Sequence, residues 1–199
     1  MRILIVGATG TIGAPLVSAL AGHDLVLASR ERAAERVDIG DPDSIRALYR
    51  RVGRVDAVVS AAGDARFKPL AQLTDDDFAF SLDNKLMGQV NLVRYGIDSV
   101  NDGGSFTLTS GVLAQQPMPG SAAISLVNAG IEGFARAAAL ELPRGQRINV
   151  VSPPWVAETL AAMGQDPSNG LPASVVAKAY VRSIEGSETG SVISPDSNK

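Results

Sequence analysis

The most constraining feature of the sequence sits at its start. Arg2-Ile3-Leu4-Ile5-Val6 is a short, nearly continuous apolar run, the pattern of a strand buried on both faces. It passes directly into Gly7-Ala8-Thr9-Gly10-Thr11-Ile12-Gly13 and then into a helical stretch, Ala14 to Ala21. Gly7 can take the tight turn. Gly10 and Gly13 let backbone approach a bound group and let the helix pack close on the strand. The beginning of the helix then offers free N–H groups and a partial positive charge, which suit a pyrophosphate.

The remaining chain repeats the alternation. Leu25-Val26-Leu27-Ala28-Ser29 reads as a second strand and Arg36-Val37-Asp38-Ile39 as a third, after only a brief polar connection. Asp41-Pro42 opens a helix with Ile45, Leu48 and Val52 at spacings of three and four. Asp56 to Ser60 is a fourth strand. Thr74 caps a helix rich in early acid (Asp75, Asp76, Asp77) that the pattern carries to about Val100, with Asn101-Asp102-Gly103-Gly104 as the stop. Ser105 to Thr109, an Ala-rich helix over about Ala123 to Leu142, and Arg147 to Val151 follow. Pro153-Pro154 and the stretch from Gly164 to Pro172 read as loop. Pro172 opens a helix to Ile184, and Ser191-Val192-Ile193 is a short last strand. This order predicts an α/β fold: a Rossmann-like, doubly wound parallel sheet with helices on both faces, a single domain over 1–199. Ligands in such sheets bind at the carboxyl ends of the strands.

Composition narrows the chemistry. The 199 residues carry 45% apolar and 20% charged side chains, and 18 basic against 21 acidic residues give a net charge of −3. No basic excess points to nucleic acid. No apolar run approaches the roughly 18 residues a membrane helix needs, and no leader precedes the first strand, so a cytoplasmic protein is expected. With no cysteine, disulfides, thiolate nucleophiles and zinc–thiolate sites are excluded. The one histidine, His23, leaves almost no room for a metal cluster or a Ser-His-Asp triad, and no metal site is expected. His23 complements a helix end, and Asp75 to Asp77 read as helix-start acidity.

The end of the second strand separates the two nicotinamide dinucleotides. An acidic residue there would take the ribose hydroxyls, whereas an arginine suits a 2′-phosphate. Here the strand ends Ala28-Ser29-Arg30, with Arg32 close behind, which favours NADP(H) over NAD(H).

Over nearly all its length the chain resembles the short-chain dehydrogenase/reductase family. Gly7, Thr9, Gly10, Thr11, Ile12 and Gly13 are similar to a variant of its cofactor turn, and Asp38 resembles its aspartate beside the adenine. Ser60-Ala61-Ala62-Gly63 resembles the segment after its fourth strand, and Ser105 to Ser110 the strand with its catalytic serine. Gly130 to Leu142 resembles its long helix and Ile148 to Pro153 its sixth strand. The resemblance implies cofactor contacts from these turn residues, Ser29, Arg30, Asp38, Ala61, Ala62, Gly63 and Pro153. It also implies a homodimer or homotetramer through the two long helices.

The family's machinery is a Ser, a Tyr, a Lys four residues later and a supporting Asn. The tyrosine exchanges a proton with the substrate oxygen, and the lysine lowers its pKa from about 10. Here the Tyr position falls on Ile124, the Lys position on Asn128 and the Asn position on Lys85; Ser110 alone is kept. Tyr49, Tyr95 and Tyr180 lie elsewhere, and Pro154 replaces the glycine after the sixth strand. The chain is also short for the family. Arg30 to Glu35 is too little for the usual helix, and the substrate loop, about 155–172 and opened by Trp155 with Glu158 and Thr159 nearby, is compact. Three readings stay open: an NADP(H)-dependent oxidoreductase using Ser110, Lys85 and Asn128 on a small carbonyl or alcohol, a catalytically silent dinucleotide-binding regulator or interaction protein, and a non-redox lyase or isomerase.

Overall fold

Along the first strand every side chain but one finds a core, and alternate residues find different ones. In the computed structural model, which describes residues 1–195, β1 (Arg2–Val6) sends Leu4 and Val6 to one face of the sheet and Ile3 and Ile5 to the other. β4 (Val55–Ser60) divides likewise, with Val58 on the first face and Ala57 and Val59 on the second. This is why these strands read as continuous apolar runs.

The seven strands form one sheet in the order β3-β2-β1-β4-β5-β6-β7, and all pairings are parallel. Here β2 is Asp24–Ser29, β3 Glu35–Arg36, β5 Val100–Thr109, β6 Arg147–Val151 and β7 Val192–Ile193. The order reverses direction at β1 and β4, whose register pairs Val6 with Ser60, and the site lies outside that junction.

Helices α2 (Pro42–Val52), α4 (Gly88–Gly96) and α5 (Ala122–Ala138) cover the first face with Ile45, Leu48, Leu92 and Ile131. Helices α1 (Gly13–Ala19) and α7 (Ala173–Glu185) cover the second with Leu16, Val176 and Tyr180. Asp41 caps α2 by accepting from the Asp43 amide, with Pro42 in the first turn. Thr74 and Asp77 form a reciprocal capping box at α3 (Asp75–Ser81).

Several boundaries differ from the sequence reading. The helix expected to reach Val100 ends at Gly96 and contains a π turn over Leu82–Met87 between α3 and α4. Asn101 to Gly104, read as the helix stop, belong to β5, whose pairing with β4 shifts register between Val55 and Ala57. The third strand is only Glu35–Arg36, at the sheet edge, where a polar pair is tolerated. The compact loop about 155–172 holds a helix, α6 (Ala157–Ala162), and a 3-10 turn at Pro167–Asn169. As read, no helix joins β2 to β3.

Candidate active site

The glycine turn is built by contact. Gly7 sits at φ +87°, and a Cβ there would stand 2.6 Å from the Ala61 carbonyl oxygen. A Cβ on Gly13 would run into the Gly7 carbonyl, so α1 packs onto the turn only because both are glycine. The turn is held by the Gly10 amide donating to Gly7 O at 2.9 Å and the Ala61 amide donating to Val6 O at 2.8 Å.

Two hollows open beside it and share Ala61, Ala62 and Gly63. The first, about 250 Å³, lies over β1 and β2 and is lined by Gly7, Thr9, Gly10, Ser29 and Arg30 among others. Its polar end is cationic. Arg30 is exposed and 3.8 Å from Asp38, while Arg32 donates from its backbone to Ser29 Oγ (2.9 Å) and from its guanidinium to Thr9 O (3.4 Å). Val37 and Ile39 line this hollow; Asp38 between them does not, and its carboxylate accepts from the Gly40 amide. Asn84, which the sequence reading passed over, also lines it and accepts from the Asp64 amide at 2.8 Å, which pins the loop after β4. Thr11 is exposed and lines neither hollow; Ile12 and Pro153 line the second.

The second hollow, about 280 Å³, lies over β4, β5 and β6. It brings together Ser110, Lys85, Asn128 and Ile124 from three separate elements, with Leu113, Trp155, Val156 and Thr159 as further wall. Ser110 follows β5, whose end is clamped by the buried Gln89: its side chain accepts from the Thr109 amide and donates to Thr109 O, both at 2.8 Å. Lys85 comes from the π turn, a helical irregularity often found at functional sites. Its residue is 8% exposed, and burial pushes the ammonium pKa down to about 8, with Asp64 opposing the shift. Asn128 is 2% exposed; its amide nitrogen donates to Gly111 O at 3.4 Å, and its Oδ1 has no partner. Trp155, in the cavity wall, meets Phe67 edge to face at 6.5 Å.

Two residues of the substrate loop take different parts. Thr159 faces the cavity, whereas Glu158 accepts from the Ala173 amide through both carboxylate oxygens and so caps α7. Glu132 was not singled out in the sequence. It is 4% exposed and accepts the Ser110 hydroxyl at 2.9 Å. The available signal was spacing, since Ile124, Asn128 and Glu132 recur every four residues on one face of α5.

These features fit a nicotinamide dinucleotide. The glycine cradle has no room for a Cβ, the cationic hollow suits a phosphate, and the orphaned Asn128 Oδ1 awaits a hydroxyl donor. Among the described residues no group of three or more His, Cys, Asp or Glu could hold a metal ion. None of their helices is long and apolar enough to cross a membrane.

The comparisons with known proteins agree with this geometry. Residues 16–194 match the family model described as enoyl-(acyl carrier protein) reductase, and the chain belongs to the short-chain dehydrogenase/reductase family. It is similar to the protein lin1944 from Listeria innocua, at 41% identity and a TM-score of 0.94 over 98% of each chain. A small-chain dehydrogenase in complex with NADPH is 27% identical, with a TM-score of 0.86 over 98% of this chain and 96% of that one. Among curated relatives, hydroxynaphthalene reductase arp2 of Aspergillus fumigatus is 35% identical over 113 residues, 56% of this chain. Oxidoreductase UcpA of Escherichia coli is 29% identical over 148 residues, 67% of this chain. The matches span 41% and 56% of those two relatives' own length.

Proposed function

We propose that the chain is an NADP(H)-dependent oxidoreductase acting on a small carbonyl or alcohol, with a rearranged catalytic set. The observation that carries this reading is the pair of hollows meeting at Ala61, Ala62 and Gly63, one bringing the glycine turn together with Arg30 and Arg32, the other holding Ser110, Lys85 and Asn128. The NADPH-bound relative supports the choice of dinucleotide. Gly7, Gly10 and Gly13 would hold the diphosphate, Ser29 and Arg30 the 2′-phosphate, and Asn128 Oδ1 a ribose hydroxyl. Bound there, the nicotinamide supplies hydride chemistry.

The protein's own part is orientation and charge. Lys85 delivers a cation into a largely apolar cavity, where it stabilises negative charge developing on a carbonyl oxygen. Ile124, Leu113 and Trp155 exclude water and make the cavity accept a small apolar body behind that oxygen. Ser110 is fixed in direction by its bond to Glu132.

The test is calorimetric titration of the full chain with NADPH and NADH, followed by NADPH consumption across a panel of aldehydes and ketones. Stoichiometric binding tighter for NADPH, with turnover of at least one carbonyl, is the expected result; no binding of either dinucleotide overturns the reading. Ile124 at the family's tyrosine position favours the second reading, a dinucleotide-responsive protein without turnover, and binding without consumption across the panel would select it.

A further inference from the structure

The proposed oxidoreductase lacks an acid, because the family's tyrosine is Ile124 here. The side chain behind Ser110 is a candidate that neither hollow reveals. Glu132 does not line the cavity, yet its Oε1 accepts the Ser110 hydroxyl at 2.9 Å, and Ser110 does line it. The carboxylate is buried, and its other contacts are weak: Gln115 Nε2 at 3.3 Å and the half-exposed Arg136 at 3.9 Å, both on Oε2. The charged group beside it is Arg136, on its own helix. Burying a carboxylate costs several kcal/mol unless it is well paired. A position so weakly paired would serve packing better as an apolar residue.

We propose that Glu132 and Ser110 form a proton relay that takes over the tyrosine's task. This rests on the oxidoreductase reading above. An ionised carboxylate only accepts, so the Ser110 proton points at Glu132 and the hydroxyl's lone pairs stay unused, on a residue that lines the cavity. A substrate hydroxyl can then donate to Ser110 Oγ. As hydride leaves the alcohol carbon for the oxidised nicotinamide, the alcohol O–H bond breaks and its proton goes to Ser110. The serine's original proton passes to Glu132 Oε1, leaving a carbonyl, a reduced cofactor and a neutral carboxyl. Reduction runs the same transfers backwards, with the proton returning from Glu132 through Ser110 to the alkoxide. Gln115 and Arg136 are themselves exposed, which puts Oε2 close to the surface, and the relay requires Glu132 to exchange its proton with water there.

Glu132→Gln separates this from a merely structural role, because glutamine Oε1 still accepts the Ser110 hydroxyl but stores no proton. The first measurement is infrared difference spectroscopy of the ligand-free full chain, as wild type, E132Q and S110A. Expected is a carboxylate band missing in E132Q and moved in frequency in S110A, which removes the hydroxyl that Glu132 accepts. An unmoved band breaks the link and overturns the proposal. The second is NADPH oxidation with 4-nitrobenzaldehyde. E132Q should lose kcat by on the order of 10²-fold with little change in KM and lose one limb of the pH profile, while E132D recovers part of the rate. Wild-type kcat and pH profile in E132Q overturn the relay. Failure of NADPH to bind by calorimetry sinks the oxidoreductase reading instead, and without aldehyde turnover the infrared result alone decides whether the pair is coupled.

Discussion

Lys85 lies against Gly63 so closely that a Cβ at residue 63 would stand 3.1 Å from the lysine's Cγ and 3.3 Å from its Cα. The missing side chain gives the stem its channel, and the ammonium ends in the cavity wall. Burial lowers its pKa from 10.5 to about 8, so the folded protein disfavours the charged form. The unfolded chain binds more protons between these values, and stability therefore rises with pH across that window. Below about pH 8 the penalty is present in full. Lys85→Met should raise the unfolding free energy by up to about 3 kcal/mol at pH 7, the gain shrinking as pH climbs towards 10.5. Urea unfolding of both proteins at several pH values measures it; a gain that does not change with pH would contradict the buried-charge account.

Gly13 is the second point where absence of a side chain sets the site. A Cβ there meets the Gly7 carbonyl, and Gly7 is itself held at φ +87° against Ala61. Neither backbone can retreat without moving α1 or the end of β4. Gly13→Ala should destabilise the fold by on the order of 2 kcal/mol and weaken NADPH binding about ten-fold or more. Thermal unfolding and calorimetry on the same samples check both effects.

The fold was readable because its local signals agree. The apolar runs of β1 and β4, the glycine turn and the short Arg30 to Glu35 connection each point to the same parallel sheet, and the structure has it. The π turn at Leu82–Met87 was not readable, since one extra residue in a helical turn leaves the apolar spacing nearly intact on either side. Yet that turn carries Lys85. The start of β5 was masked by Asn101-Asp102-Gly103-Gly104, a turn-like string that lies between the Val100 and Ser105 pairings with β4, where Asn101 donates to Asp56. Helix α6 is six residues long between prolines and Gly164, below the length at which periodicity speaks. Glu132 was lost for a different reason: a lone acid on an Ala-rich helix reads as solvated, and its burial beside Ser110 and Gln115 is a tertiary fact.

Arg30 decides cofactor choice under the proposed function. It is exposed, only loosely paired with Asp38 at 3.8 Å, and therefore free to turn towards a phosphate beside Ser29. A charge-assisted contact to phosphate contributes about 1.5–3 kcal/mol. Arg30→Ala should lower NADPH affinity by roughly 10- to 100-fold and leave NADH affinity unchanged, so the preference collapses. Equal losses for both dinucleotides would assign Arg30 to the shared part of the cofactor.

The outer face of α5 bears on assembly. Ala122, Leu126, Ala129, Gly133, Ala137 and Leu140 are exposed along it and just beyond its end, at three- and four-residue spacing, and Leu126 and Leu140 are 49% and 88% exposed. Small residues along such a face let two helices approach closely, and leucines at this exposure gain by being covered. A homodimer or homotetramer built on α5 would cover them. Ala129→Arg places a long cation in the middle of that face, where a symmetric partner brings a second one opposite. Light scattering after gel filtration should then show a mass below that of the wild type, one chain if the assembly is a dimer and two if it is a tetramer, with far-UV circular dichroism unchanged. An unaltered mass would remove α5 from the interface and leave its leucines exposed on a surface used for something else.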